Sequence, residues 1–141
     1  MGAGPDVRRG ACHCGAVEFT ATLTDGLSKP RRCTCSICRM RGAVAVSAPI
    51  DGLTITKGAD KLTVYQFNTK TAKHYFCSVC GVYTHHQRRS NPHQFGVNVA
   101  CLDGVSPFDF AEVEVYDGVN AHTSDTGSRP VRAGVLKFVR E

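Results

Sequence analysis

Cys33-Thr34-Cys35-Ser36-Ile37-Cys38 decides how this chain is read. Its spacing is C-x-C-x-x-C, three thiols within six residues. A run that tight aims three sulfurs at one point, each about 2.3 Å from a zinc ion. It supplies three ligands and leaves a fourth position undecided. The other cysteines help to decide it. Of the eight in the chain, Cys12 and Cys14 make a C-x-C, and Cys77 and Cys80 make a C-x-x-C-G. Two short pairs far apart in sequence form the plan of a zinc-ribbon-like clamp. Four thiolates around one ion leave no room for substrate. The expectation is Zn2+, two per chain: a structural ion at Cys12, Cys14, Cys77 and Cys80, and an open one at Cys33, Cys35 and Cys38. Structural sites are closed, and catalytic sites keep a position free.

Length and composition agree with a small folded protein. The chain has 141 residues, 42% of them apolar. That points to one domain, spanning 1–141, with a modest core. No apolar run approaches the roughly 20 residues of a membrane span, so no membrane partner is expected. Residues 1–10 carry charge but no apolar signal segment, which makes a cytoplasmic, reducing setting the expectation. In such a setting cysteines read as metal ligands before disulfides. The formal charge is +5. Seven metal-bound thiolates would remove seven units and two Zn2+ would return four, leaving +2. The basicity therefore largely offsets the metal sites, and nucleic acid is not an expected partner.

The rest of the chain reads as strands separated by turns. Residues 1–8 are expected to be a loose arm. Strand-like runs are Ala16–Thr22, Gly42–Ser47, Leu53–Thr56, Leu62–Phe67, Ala72–Phe76, Val82–His85, Phe95–Leu102, Val113–Tyr116 and Ala133–Arg140. They alternate or are β-branched, and Gly, Pro, Asn and Asp punctuate them. Residues 118–131 read as a long loop before the final strand. The helical content expected is little or none, a turn at Ser36–Arg39. The fold class is mainly β.

Three thiolates give a bound zinc a net charge of −1. Zinc that electron-rich is a weaker Lewis acid than zinc on three imidazoles, and suits a thiolate or alkoxide partner better than plain hydrolysis. Arg31, Arg32, Arg39 and Arg41 surround the triplet in sequence and offset its charge. A closed second site remains the alternative, with Cys101, His74, His85 or His86 as fourth ligand. Cys101 lies in an apolar strand pattern and reads better as a core residue. His13 reads as outward-facing. His85 and His86 are adjacent, so on a strand they face opposite sides. Arg88 and Arg89 read either as a solvated loop or as a bidentate grip on a carboxylate.

The cysteine order C-x-C-G, C-x-C-x-x-C, C-x-x-C-G resembles that of the glutathione-dependent formaldehyde-activating (GFA) family, or CENP-V/GFA domain. The likeness runs over about residues 9–117. It includes Gly10-Ala11-Cys12-His13-Cys14-Gly15, Tyr65-Gln66-Phe67-Asn68, Lys73-His74-Tyr75-Phe76-Cys77, Gly81-Val82-Tyr83-Thr84-His85-His86 and Gly96-Val97-Asn98-Val99. The resemblance implies an Mss4-like β fold, with a structural zinc on the four cysteines and a catalytic zinc on Cys33, Cys35 and Cys38. It implies a carbon–sulfur lyase-type activity, condensing formaldehyde or a related small aldehyde with glutathione or another thiol. Arg39, Arg41 and Arg88 are the residues expected to hold substrate carboxylates. A non-catalytic zinc-stabilised binding module of the Mss4-like type is the alternative.

Overall fold

The computed structural model describes residues 6–120 and 130–141. These residues form eleven strands and one α-helix. The strands are β1 (Asp6–Ala11), β2 (Glu18–Leu23), β3 (Arg31–Cys33), β4 (Ala45–Pro49), β5 (Leu53–Lys57), β6 (Leu62–Tyr65), β7 (Lys73–Cys77), β8 (Tyr83–Gln87), β9 (Gln94–Asn98), β10 (Glu112–Tyr116) and β11 (Arg132–Lys137). The helix α1 spans Ser36–Arg41. The mainly β, nearly helix-free architecture expected from the sequence is the one observed.

The strands make two sheets. A small one has the order β1-β2-β5, and an eight-stranded one has the order β11-β10-β3-β4-β9-β8-β7-β6. Pairing is antiparallel except between β3 and β10, which run parallel. The core lies where the small sheet covers one face of the large one. Phe19, Ala21 and Leu23 of β2 meet Val46 and Ala48 of β4 and Val97 of β9, all nearly or fully buried. Successive strand residues face opposite ways. Ala45 and Ser47 of β4 therefore belong to the other face, and that face carries the site.

Two strands were not legible in the sequence. β1 replaces the end of the expected loose arm. Its charged residues Arg8 and Arg9 lie on an edge strand, and Gly10 sits directly against the Phe19 ring. β3 is only three residues long, too short for an alternation to register. The loop expected over 118–131 falls mostly on residues outside those described. Cys101 is buried and its Sγ lies 3.4 Å from the Tyr83 carbonyl, in the core as expected. Burial pushes its thiol up to about 12. Among the described residues, no helix is long and apolar enough to cross a membrane.

Candidate metal centres and the cavity between them

Two knuckles build the four-cysteine centre. Cys12 follows β1 and Cys77 ends β7. Each chain then folds back through a glycine: Gly15 and Gly81 both adopt φ 79°, a conformation open to residues without a Cβ. The turn aims backbone amides at sulfur. Val17 N–H donates to Cys12 Sγ and Val79 N–H to Cys77 Sγ, each at 3.3 Å. The amides of Val82 and Cys14 hold the Cys80 thiol down at about 6. The Sγ atoms of Cys12 and Cys14 are 3.7 Å apart, as are those of Cys14 and Cys77. A tetrahedral zinc with bonds of about 2.3 Å requires sulfur–sulfur edges of about 3.8 Å. The donor set therefore fits a closed zinc. It also ties the small sheet to the β7–β8 hairpin of the large one.

The three-cysteine centre is made by one turn of helix. Cys35 caps α1, and Arg39 N–H donates to the Cys35 carbonyl at 3.0 Å. Cys35 and Cys38 are three apart, so they share a face. Cys33 arrives from β3, and the Cys35 amide donates to its Sγ at 3.4 Å. The three sulfurs lie within 4.8 Å of one another. Thiol hydrogen bonds from Cys33 and Cys38 push the Cys35 thiol far below its ordinary range, while contacts with Cys33, then with Cys35, and burial push Cys38 far above it. One sulfur ionises readily and the others cannot follow without a cation. A dication such as Zn2+ fits that demand. Gly118 closes the loop from the side: a Cβ there would lie 2.5 Å from Cys33 Sγ, 2.7 Å from Cys35 Cβ and 2.9 Å from Cys35 N.

All three cysteines line a cavity of about 360 Å3, whereas the four-cysteine centre lies outside it. That volume is at the lower end for small-molecule sites. The cavity lies over the sheet face that carries Ala45, His74 and His86. A bulge decides which β8 residues reach it. Tyr75 pairs with His85 and Phe76 with Tyr83, so Thr84 is an extra residue on β8. Tyr83 and His86 are an odd number apart, yet the extra residue turns both to the cavity. His85 takes the other face, stacked on Tyr75 at 4.5 Å and edge-on to Phe95. The expectation that His85 and His86 face opposite sides holds. His13 is exposed, also as expected.

Arg41 organises the cavity wall. Its guanidinium lies 3.8 Å from the Tyr83 ring centre, reaches Cys38 Sγ at 3.5 Å, and donates to His74 Nδ1 at 3.0 Å. His74 therefore carries its proton on Nε2, which is buried without a partner. Burial, followed by the charge of Arg41, pulls the His74 imidazole down to about 4. The ring stacks between Phe67 and His86 at 5.9 and 5.2 Å. His86 Nδ1 shares a proton with Tyr83 Oη at 2.6 Å. Arg88 lines the cavity and is only 9% exposed. Arg39 does not line it. It is exposed on a neighbouring groove with Val115 and Leu136.

Comparison with known proteins agrees with this geometry. The family model described as "Glutathione-dependent formaldehyde-activating enzyme" matches residues 7–117. The chain belongs to the GFA family. A Halomonas elongata protein named "Putative glutathione-dependent formaldehyde-activating enzyme" is 35% identical over 80 residues, 50% of each chain. The chain thus spans about half the length of that curated relative. A solved structure of a Rhodobacter sphaeroides protein is 57% identical, with a TM-score of 0.74 over 76% of this chain and 98% of that one. The GFA match covers both cysteine centres and all of β8, though not β11.

Proposed function

We propose that this GFA-family chain is a zinc-dependent carbon–sulfur lyase-type enzyme that joins formaldehyde, or a related small aldehyde, to glutathione or another thiol. The observation that carries this reading is the contrast between the two centres. The four-sulfur set is complete, while the three-sulfur set lines a cavity. Cys33, Cys35 and Cys38 would hold a zinc ion, which would supply a Lewis acid at the cavity wall.

The reaction adds a thiol across a carbonyl. A carbon–sulfur bond forms, the carbonyl π bond breaks, and the proton leaving sulfur ends on oxygen. Holding the two reactants together in one small cavity supplies much of the rate. Arg41 keeps the Cys38 sulfur and the His74 ring in place at once. Tyr83 Oη and His86 Nδ1 hold a proton between them in the wall of the same cavity. Phe67 and the two histidines form a stacked aromatic wall on one side of the cavity.

The test is exchange NMR on labelled formaldehyde with glutathione, measured against the protein-free rate. The expected result is faster interconversion with the two-zinc protein and none with Cys35→Ser. Equal rates with wild type and without protein, at two zinc ions per chain, would remove the reaction from this site.

A further inference from the structure

The cavity walls are far more basic than a neutral aldehyde or a simple thiol needs. Arg31, Arg32, Arg41, Arg88 and Arg89 all line it, against one carboxylate, Asp117, among the described residues. Asp117 Oδ1 already accepts the amides of Val119 and Asn120. Two of the five guanidiniums are committed to aromatic faces: Arg41 to Tyr83, and Arg31 to Tyr116 at 4.2 Å. Arg88 is different. It extends β8, its amide bonded to the Gln94 carbonyl at 3.1 Å, two residues beyond His86 and on the same face.

Its side chain is nine-tenths buried and under-used. A guanidinium has five N–H donors. Arg88 Nη2 donates to Ser47 Oγ at 3.0 Å, and Nε is buried with no partner. No carboxylate forms an ion pair with Arg88 among the described residues. Burial and the charge of Arg31 pull it down to about 10, so it stays protonated at neutral pH. As zinc-bound thiolates, nearby Cys33 and Cys38 would favour that charge. With zinc in place the three-sulfur centre would keep only one negative unit, shared among the Arg31, Arg41 and Arg88 guanidiniums around it.

We propose that Arg88 is the anion anchor of the cavity and restricts it to substrates that carry a carboxylate. The inference rests on the thiol–aldehyde reading of the site and names its substrate class. Arg88 lines the cavity as a buried guanidinium with no ion pair among the described residues, so a carboxylate there would supply its counter-ion, and an uncharged partner would leave the charge uncompensated. Two sources present that group: a thiol bearing carboxylates, as glutathione does, or an aldehyde bearing one, an oxo acid.

The test is calorimetric titration of the two-zinc protein with S-methylglutathione, with its dimethyl ester, and with glycolate as an unreactive stand-in for an oxo acid. None of the three reacts, so binding is read without turnover. The expected result is an acid preference over the diester of about tenfold or more. Arg88→Gln should abolish it with both zinc ions retained, and Arg88→Lys, which keeps the charge on a shorter head group, should restore part. Arg88-dependent binding of glycolate without an acid–ester difference would assign the carboxylate to the aldehyde and also support the anchor. Equal wild-type affinity for acid and diester, with no Arg88-dependent binding of glycolate, would overturn it, and that comparison for acid and diester needs no variant. Loss of a zinc ion from Arg88→Gln with the acid preference intact would also overturn it, because Arg88 would then serve the thiolates alone. Acid preference without catalysed exchange would refute the thiol–aldehyde reaction and keep the anchor; catalysed exchange without Arg88-dependent binding of either acid does the reverse.

Discussion

Replacing Gly118 with alanine places a methyl group against the three-sulfur loop. Its Cβ would lie 2.5 Å from Cys33 Sγ, 2.7 Å from Cys35 Cβ and 2.9 Å from Cys35 N. Relaxed contacts between heavy atoms lie near 3.5–4.0 Å, so each of the three is short by about 1 Å. Two of them are to atoms fixed by the backbone at the start of α1, so no rotamer change relieves them. The loop has to shift, and zinc–ligand distances tolerate only about 0.2 Å. Overpacking of this kind costs about 1–3 kcal/mol. If about 2 kcal/mol of it falls on the metal site, zinc there binds roughly 30-fold more weakly. Gly118 N–H also donates to Thr34 Oγ1 at 3.0 Å, which resists movement of its own segment. Competition titration against a chromophoric chelator resolves the two ions by affinity. The expected result is one weakened zinc and one unchanged. Two zinc ions at wild-type affinity in Gly118→Ala would refute the reasoning, because the facing segment would have yielded without consequence.

Cys77→Ser opens the four-sulfur centre. Structural zinc contributes about 10–16 kcal/mol in small domains, comparable to a whole domain's stability of about 5–15 kcal/mol, so circular dichroism should show an unfolded or expanded chain. Cys35→Ser should keep its melting temperature within a few degrees and lose one zinc by atomic absorption. Gly81→Ala meets nothing within 4 Å but must hold φ 79°; backbone strain of about 1–2 kcal/mol should lower the melting temperature and leave the three-sulfur zinc untouched. His85 gives a pH dependence. Burial holds its imidazole at about 4 against an ordinary 6.5, so the unfolded chain binds the proton first as pH falls. The stability it contributes is complete above 6.5 and lost between 6.5 and 4. In urea melts, wild type should lose about 2–3 kcal/mol more than His85→Leu between pH 7 and 4.5. Parallel pH profiles would contradict that assignment.

The metal centres were legible because cysteine spacing is a local signal. C-x-C and C-x-x-C-G state the knuckle in a few residues, and the glycine states its φ. The strands around them were legible where they alternate, and β1 and β3 were missed because one is charged and the other is three residues long. The cavity wall was only half legible. Arg41 follows Cys38 by three residues and reaches its sulfur at 3.5 Å, whereas Arg39, four residues after Cys35, is exposed on the neighbouring groove. Helical spacing sets each near a ligating cysteine and so does not tell the two apart. Tyr83 was missed, and His86 read only as a possible fourth ligand, for a different reason. Their shared face depends on the bulge at Thr84, a property of the pairing between β7 and β8 that neither strand's own sequence states. Gly118 read only as the first residue of the long loop over 118–131. Its approach to Cys33 comes from the parallel pairing of β10 with β3, across more than eighty residues of chain.

The central claim is that one metal site is closed and the other open to the cavity. Cobalt substitution tests it most directly, because sulfur-to-cobalt charge-transfer bands count thiolate ligands. Two Co2+ per chain, titrated with glutathione, should show one ion gaining thiolate absorption and the other unchanged. Cys35→Ser should abolish the change. Two cobalt ions whose spectra both ignore added thiol would contradict the account, since the three-cysteine centre would then already have its fourth ligand.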